Sequence, residues 1–414
     1  MFSHMPKCHH FLGLVSVTLL LTVRLGVAGD DVITSQTAPA AYAPAPSTGV
    51  DTSESPKFYT ITASLREGYD DNIFTAREKV GSFTTEFSPS FLVDFPMDNS
   101  DFSARYTFDS VYYENRNGNQ FDLNHEAVAR YNHAFSDRFN LDLREQFRYD
   151  NEPSLLDATG TLFRNGAYIS NVSSAEFTAQ WTPLVSTVTT YSNTLYYYQD
   201  SSIAAEQNYM ENTVNQDLRF AILPTYTLAF GGIYDNSSYD FNRGFTSYTG
   251  NVGIDWQTLP SLVLGARVGG TITDTSNAGS STSPYASVTA NWRLGERSHL
   301  DFSYLHNVVT TDVVFANAQV ADRVSTRFSY DVTPSITTHL EGIYTHSDYS
   351  SQLIQSGTLS DFTEDVLAVD AGFAYHFNKN FDFDLGYIFS DVSSQLTFRE
   401  YTRNQVSMGI RGTY

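Results

Sequence analysis

The stretch Phe139-Asn140-Leu141-Asp142-Leu143-Arg144-Glu145-Gln146-Phe147-Arg148-Tyr149 decides the fold. Phe139, Leu141, Leu143, Phe147 and Tyr149 share one parity, and Asn140, Asp142, Arg144, Gln146 and Arg148 share the other. Period-two alternation is the signature of a strand with one face against an apolar medium and one against water. The preceding segment repeats it, with Leu123, Ala127, Ala129 and Tyr131 set against Asp122, Asn124, Glu126, Arg130 and Asn132. One segment further back, Phe102, Ala104, Tyr106, Phe108 and Tyr112 alternate with Ser103, Arg105, Thr107 and Asp109. Such strands run to about 12 residues, twice the usual globular length and long enough for a tilted strand to cross a bilayer.

Turn formers punctuate this pattern at Pro96-Met97-Asp98-Asn99, Ser136-Asp137-Arg138, Thr182-Pro183, Pro224-Thr225, Leu259-Pro260-Ser261, Gly295-Glu296-Arg297-Ser298, Thr333-Pro334-Ser335 and Asn378-Lys379-Asn380. They recur about every 35 to 46 residues, which marks a repeat architecture. Longer polar segments lie between them at 115–120, 150–165, 199–209, 273–283 and 347–363. Short turns at one end and long loops at the other predict an all-β transmembrane antiparallel up-and-down barrel, with the turns in the periplasm. Two strands per turn, plus one before and one after, give about eighteen. Residues 185–198 fit either parity, so sixteen is the alternative. An even count places both termini in the periplasm.

The C-terminal residues sharpen the reading. Val406, Met408, Ile410, Gly412 and Tyr414 alternate with Ser407, Gly409, Arg411 and Thr413, and the last residue is aromatic. Val406, Met408, Ile410 and Tyr414 are the expected signal for the barrel assembly machinery. On a soluble protein such an uncapped edge would invite aggregation. A β-propeller also repeats at 40–50 residues, but each blade fits four short strands into that period. Here each period holds two long ones.

Composition excludes other classes. The 414 residues carry 24 Lys+Arg against 46 Asp+Glu, a net charge of −22, which argues against a nucleic-acid partner. The 14% aromatic content is unlike a disordered acidic chain. Residues 1–28 read as a secretory signal peptide, with Lys7 in the basic region, an apolar run from Phe11 to Val23 and Gly26-Val27-Ala28 at the cleavage site. Cleavage removes Cys8, the sole cysteine. Residues 29–57 are rich in Ala, Pro, Ser and Thr and read as a periplasmic tether. The barrel occupies 58–414.

No catalytic, cofactor or metal constellation is expected. His125, His133, His299, His306, His339, His346 and His376 are scattered singly, where hydrogen bonding suits them better than metal ligation. Asp70-Asp71-Asn72, Asp235-Asn236-Ser237 with Asp240, and Asp361 with Glu364-Asp365 lack the spacing of a calcium loop. They read as solvated acidic loops that give the extracellular mouth a negative potential.

The polar parity supplies the candidate lumen lining: Arg105, Asp109, Asp122, Glu126, Arg130, Asp142, Arg144, Arg148, Asp217, Arg219, Arg267, Asp301, Arg323, Arg327, Asp382, Asp384, Arg403 and Arg411. Ionised groups there require water in the lumen or partners across strands. Aromatics near strand ends, including Tyr59, Tyr112, Phe135, Tyr196, Tyr197, Trp256, Trp292 and Phe381, read as two interfacial girdles. Few aromatics are expected on the inward parity, which weighs against a sugar-stacking channel.

Leu65-Arg66-Glu67-Gly68-Tyr69-Asp70-Asp71-Asn72-Ile73-Phe74, followed by Phe87-Ser88-Pro89-Ser90-Phe91, resembles the opening of the β-barrel porin type 2 family. In that family the first strand ends in Gly-Tyr-Asp-x-Asn and the second carries a Ser-Pro step. The resemblance extends over about 58–414 and implies an outer-membrane barrel with no catalytic residues to carry over. The leading expectation is a porin-like channel for passive diffusion of small hydrophilic solutes. The alternatives are an outer-membrane component of surface polysaccharide secretion or assembly, an outer-membrane enzyme, and a structural barrel plugged by its own loops. Lipid, lipopolysaccharide and a homotrimer are the expected partners.

Overall fold

In the computed structural model the described residues are 58–153, 155–156, 166–240, 243–276, 279–349, 353 and 361–414. The candidate signal peptide and tether lie outside them.

Eighteen strands follow in chain order: β1 (Tyr59–Asp70), β2 (Ser82–Met97), β3 (Ser100–Tyr113), β4 (Phe121–Ser136), β5 (Phe139–Asp150), β6 (Tyr168–Thr182), β7 (Val185–Tyr198), β8 (Tyr209–Leu223) and β9 (Tyr226–Tyr239). The second half comprises β10 (Gly244–Leu259), β11 (Leu262–Thr275), β12 (Gly279–Arg293), β13 (Ser298–Val309), β14 (Gln319–Thr333), β15 (Ile336–Tyr349), β16 (Phe362–Asn378), β17 (Phe381–Ser394) and β18 (Tyr401–Thr413). Each pairs antiparallel with its sequence neighbours, and β18 closes the ring on β1 from Thr62↔Thr413 to Asp70↔Gln405. Among the described residues closure leaves no strand of the sheet with an unpaired edge, as a lipid-facing sheet requires. The count is eighteen rather than sixteen, because 185–198 forms one uninterrupted strand paired on both sides.

The repeat has a local cause. Six hairpins share a one-residue register shift just before a two-residue turn, as at Ala134/Ser136, Gln180/Thr182, Ala221/Leu223, Gln257/Leu259, Asp331/Thr333 and His376/Asn378. Four of these turns begin with proline (Pro183, Pro224, Pro260, Pro334), whose fixed φ suits the first turn position. The bulge adds local twist that helps strands curve into a ring. Pro89 marks a different interruption. The β2–β3 register skips from Phe87↔Ser110 to Ser90↔Thr107, because proline cannot donate to the ladder. The Ser88 hydroxyl bridges the gap by bonding the Asp109 and Glu86 carboxylates.

Loops at the opposite end differ from expectation in two places. Residues 273–283 are mostly strand, since β11 runs to Thr275 and β12 starts at Gly279. Ser and Thr fill both faces there without favouring a loop, because their hydroxyls bond across strands, as Ser280 does to the Asp274 carboxylate opposite it. The segment 310–318 between β13 and β14, by contrast, is a loop the pattern does not announce.

The outward parity is apolar around most of the ring, with Leu65, Phe87, Phe91, Val252, Val268 and Leu340 exposed. On the closing strand Val406, Met408 and Ile410 point outward at 50%, 54% and 57% exposure, and Tyr414 exchanges backbone hydrogen bonds with Ile61.

Candidate channel interior

The polar parity faces the inside of the ring, as contacts between non-adjacent strands show. Arg66 on β1 reaches past β18 to Asp384 on β17 at 2.9 Å, and also bonds Glu86 at 3.1 Å. Arg403 on β18 binds Asp70 at 2.5 Å and Glu152, which follows β5. Only a concave face lets such residues meet.

Most of the anticipated wall residues are brought together in small networks. Glu126 sits between Arg148 (3.0 Å) and Arg105 (3.7 Å) and accepts from Gln146 at 2.8 Å. Arg130 pairs with Asp142 at 2.8 Å, and Asp122 takes a two-pronged bond from Arg116 at 2.6 and 2.7 Å. Asp109 is held by the Ser88 hydroxyl. Asp217 lies 3.1 Å from Arg219 and 3.8 Å from Arg267, and Arg267 also binds Asp255 at 2.8 Å. Arg327 pairs with Glu341 at 2.5 Å, Asp382 with His376 at 2.6 Å, and Asp301 with His299 at 2.9 Å. Arg323 is buried in the wall of β14. Arg144 and Arg411 form no ion pair among the described residues, and Arg144 stands opposite Arg130 in the register.

The mouth at the loop end is built around 310–318. Thr310, Thr311, Asp312, Val313, Ala316, Asn317 and Ala318 are all buried. Arg243 donates to the carbonyls of Thr311 (3.3 Å), Val313 (2.8 Å) and Ala316 (2.9 Å), while its guanidinium stacks on Tyr239 at 3.7 Å. Arg399, in the one-turn helix Thr397–Arg399, clamps Asp312 at 2.7 and 2.9 Å and Glu364 at 2.7 and 3.1 Å. Burial alone would push the Arg399 guanidinium down, but the two carboxylates hold it well above its ordinary value. Small apolar cores pin the same segment: Val313 and Ala316 pack with Tyr349 and Phe362, and Ala318 packs with Phe245, Val308 and Leu353. A third core stacks Tyr168, Tyr196, Tyr198, Tyr209 and Tyr239 beneath the helix α1 (Ser201–Gln207), with the Tyr168 and Tyr196 rings 4.4 Å apart.

These findings correct three expectations. Asp70, Asp235 and Glu364 are strand residues, buried rather than solvated, and Asp70 and Glu364 are neutralised by arginine. The inward parity is rich in tyrosine at the loop end, and Tyr196 belongs to that interior stack rather than to a girdle. The stack is nonetheless shut off by packing, so it offers no open aromatic slide. Arg66, Arg243, Arg399 and Asp312 were missed because three of them lie in or beside short links, where period-two reasoning has nothing to count. Arg66 alone had a readable signal, its inward parity on β1.

On the inner wall near Arg403, a cavity of ≈ 200 Å³ is lined by Tyr113, Asp122, Asp150, Tyr401, Arg403 and Gln405.

The sequence matches the family described as Putative beta-barrel porin 2 over residues 59–414. No curated protein matches it. Among solved structures, Pseudomonas aeruginosa OccK2 (OpdF) aligns at 12% identity with a TM-score of 0.46, covering 86% of this chain and 97% of that one. A BenF-like porin from Pseudomonas fluorescens aligns at 11% identity and a TM-score of 0.46, covering 86% and 99%. Acinetobacter baumannii OccAB4 aligns at 11% identity and 0.45, covering 86% and 98%.

Proposed function

Because the chain belongs to the beta-barrel porin 2 family and is thus a porin-like barrel of the outer membrane, we propose that it passes small hydrophilic solutes by passive diffusion. The observation that carries this reading is an inner wall of ionised side chains on a closed ring of eighteen strands. A ring of that size is wide enough for water, and Arg144 and Arg411, without ion pairs among the described residues, favour a hydrated interior. The predicted lumen residues then act mainly as paired wall networks, and these two arginines act on passing solutes. In this reading the loop end is extracellular, the two-residue turns and both termini are periplasmic, and the β18 strand is what the assembly machinery reads.

Burial of 310–318 inside the mouth favours a second reading, in which the barrel is closed by its own loops. Conductance of the purified protein in planar bilayers separates the two. Stepwise openings support the channel. Silent insertion of folded barrel, with openings gained only after 310–318 is shortened, supports the plug.

A further inference from the structure

The outward face departs from its apolar rule most deeply on one sector. Across β5 to β8 it carries Glu145, Asn171, Ser173, Thr189, Asn193, Asn212 and Gln216. Glu145, Ser173, Asn193 and Asn212 stand opposite one another in successive strand pairs, as do Thr189 and Gln216. Their outward direction follows from parity, since the neighbours Asp142, Tyr196 and Tyr209 in the same strands point inward. The sector is deep as well as wide: Gln216 is the central residue of β8, and Glu145 lies near the middle of β5. At corresponding heights elsewhere the wall presents Phe91, Val252, Val268 and Met408.

Polar groups facing hydrocarbon are unfavourable unless satisfied. Part of the sector is satisfied internally. Asn193 and Tyr191 donate to the Asn212 Oδ1 at 2.9 and 3.0 Å, and Thr189 donates to the Gln216 Oε1 at 2.6 Å. Ser173 accepts from Asn171 at 3.2 Å, and the Gln216 Nε2 donates to the Val188 carbonyl at 3.3 Å. Three groups remain unspent among the described residues. The Asn212 Nδ2 donates to nothing, the Asn193 Oδ1 accepts nothing, and the Glu145 carboxylate has no cation or donor. No Lys or Arg stands in the sector, so it has no chemistry for lipid phosphates.

We propose that this sector is a docking surface for a second copy of the chain, forming a two-fold dimer. The unspent groups include both donors and acceptors, so the surface is complementary to itself, as an isologous contact demands. Other outward polar groups lie nearer the loop end, where Glu67 is bonded by Thr85 at 3.0 Å and Asn236 bonds Thr246 at 2.9 Å. The longest such row is His306, Asp322, His346 and Asp365 on β13 to β16. Its members are already paired at 2.8 Å, His306 with Asp322 and His346 with Asp365. It also lies eight strands of eighteen away, nearly opposite. Contacts between two opposite faces would string copies into a chain instead of closing a small ring. Self-contact of β5–β8 is the arrangement that satisfies the polar sector. This differs from the homotrimer expected from sequence, which needs two different faces.

The test uses the full chain in its native membrane. Single cysteines replace Asn171, Asn193 and Gln216 in turn, with Val268→Cys on β11 as the control and Cys8 in the candidate signal peptide changed to Ser. Mild oxidation should give a band of dimer size for at least one sector position, at least tenfold above the control. A variant with Asn193→Leu, Asn212→Leu and Gln216→Leu should keep heat-modifiable migration and lose at least tenfold of the dimer. The proposal is overturned if no sector position cross-links above Val268→Cys, or if the products are trimers, ladders or adducts with another protein. It is also overturned if the leucine variant stays folded and dimeric. None of these readouts depends on conductance, so failure here leaves the channel reading to its own test.

Discussion

Arg399→Ala is the sharpest single perturbation of the mouth. Arg399 makes four hydrogen bonds to two carboxylates, and the side chains of Asp312 and Glu364 are only 3% and 1% exposed. Removing the guanidinium leaves both carboxylates buried without a counter-charge, which costs about 3–5 kcal/mol for a buried pair. The carboxylates escape by moving to water, and for Asp312 that means withdrawing 310–318 from the mouth. Arg243 and the apolar cores still hold the segment, so the lower figure is the better guide. About 3 kcal/mol corresponds to about a hundredfold rise in the withdrawn population. In planar bilayers the variant should show openings about a hundred times more frequent, or a larger conductance step if the native channel is already open. Arg399→Ala with Asp312→Asn and Glu364→Gln removes the stranded charges and should return most of the native behaviour. The reasoning is refuted if Arg399→Ala is folded and heat-modifiable yet opens as often and as widely as the native protein.

Further outcomes follow from the wall and the closing strand. Glu126→Gln frees Arg105 and Arg148 on the inner wall, so selectivity should move toward anions; reversal potentials in a salt gradient check it. The same change should cost about 1–3 kcal/mol, read as earlier loss of the folded band on heating. Deleting Tyr414, or replacing it with Ala, removes outward apolar surface at the seam with Ile61 and should lower outer-membrane yield severalfold, measured by fractionation. In the 71–81 rim, burial pushes the Asp71 carboxyl up, but bonds from Lys79 and Asn404 outweigh it and hold it below the ordinary range. A lowered folded value means that its contribution is complete above about pH 4, the unfolded carboxylate range, and fades as pH falls through the folded value. Protease nicking of that rim should therefore be unchanged from pH 8 to 5 and rise in stronger acid.

The barrel was legible because it rests on local chemistry. Parity fixes which side chains turn inward, and short polar turns, four of them led by proline, fix where the hairpins reverse at one end. Even the one ambiguous strand fails for a visible reason: Tyr196, Tyr197 and Tyr198 put aromatics on both parities, so interior stack and outer girdle cannot be told apart by counting. The mouth was not legible. Residues 310–318 contain neither Gly nor Pro, and Val313-Val314-Phe315 reads as strand. Only contacts from distant positions, Arg243 and Arg399 above all, make it a buried loop. The acidic links misled for the same reason, since the arginines that neutralise Asp70 and Glu364 lie 333 and 35 residues away in sequence.

Single-channel recording tests the central claim most directly. Purified native protein in a planar bilayer should give discrete, reproducible conductance steps that scale with salt concentration, as an aqueous lumen lined by paired charges requires. Folded barrel that inserts and stays silent, both as the native chain and with 310–318 shortened, would contradict it.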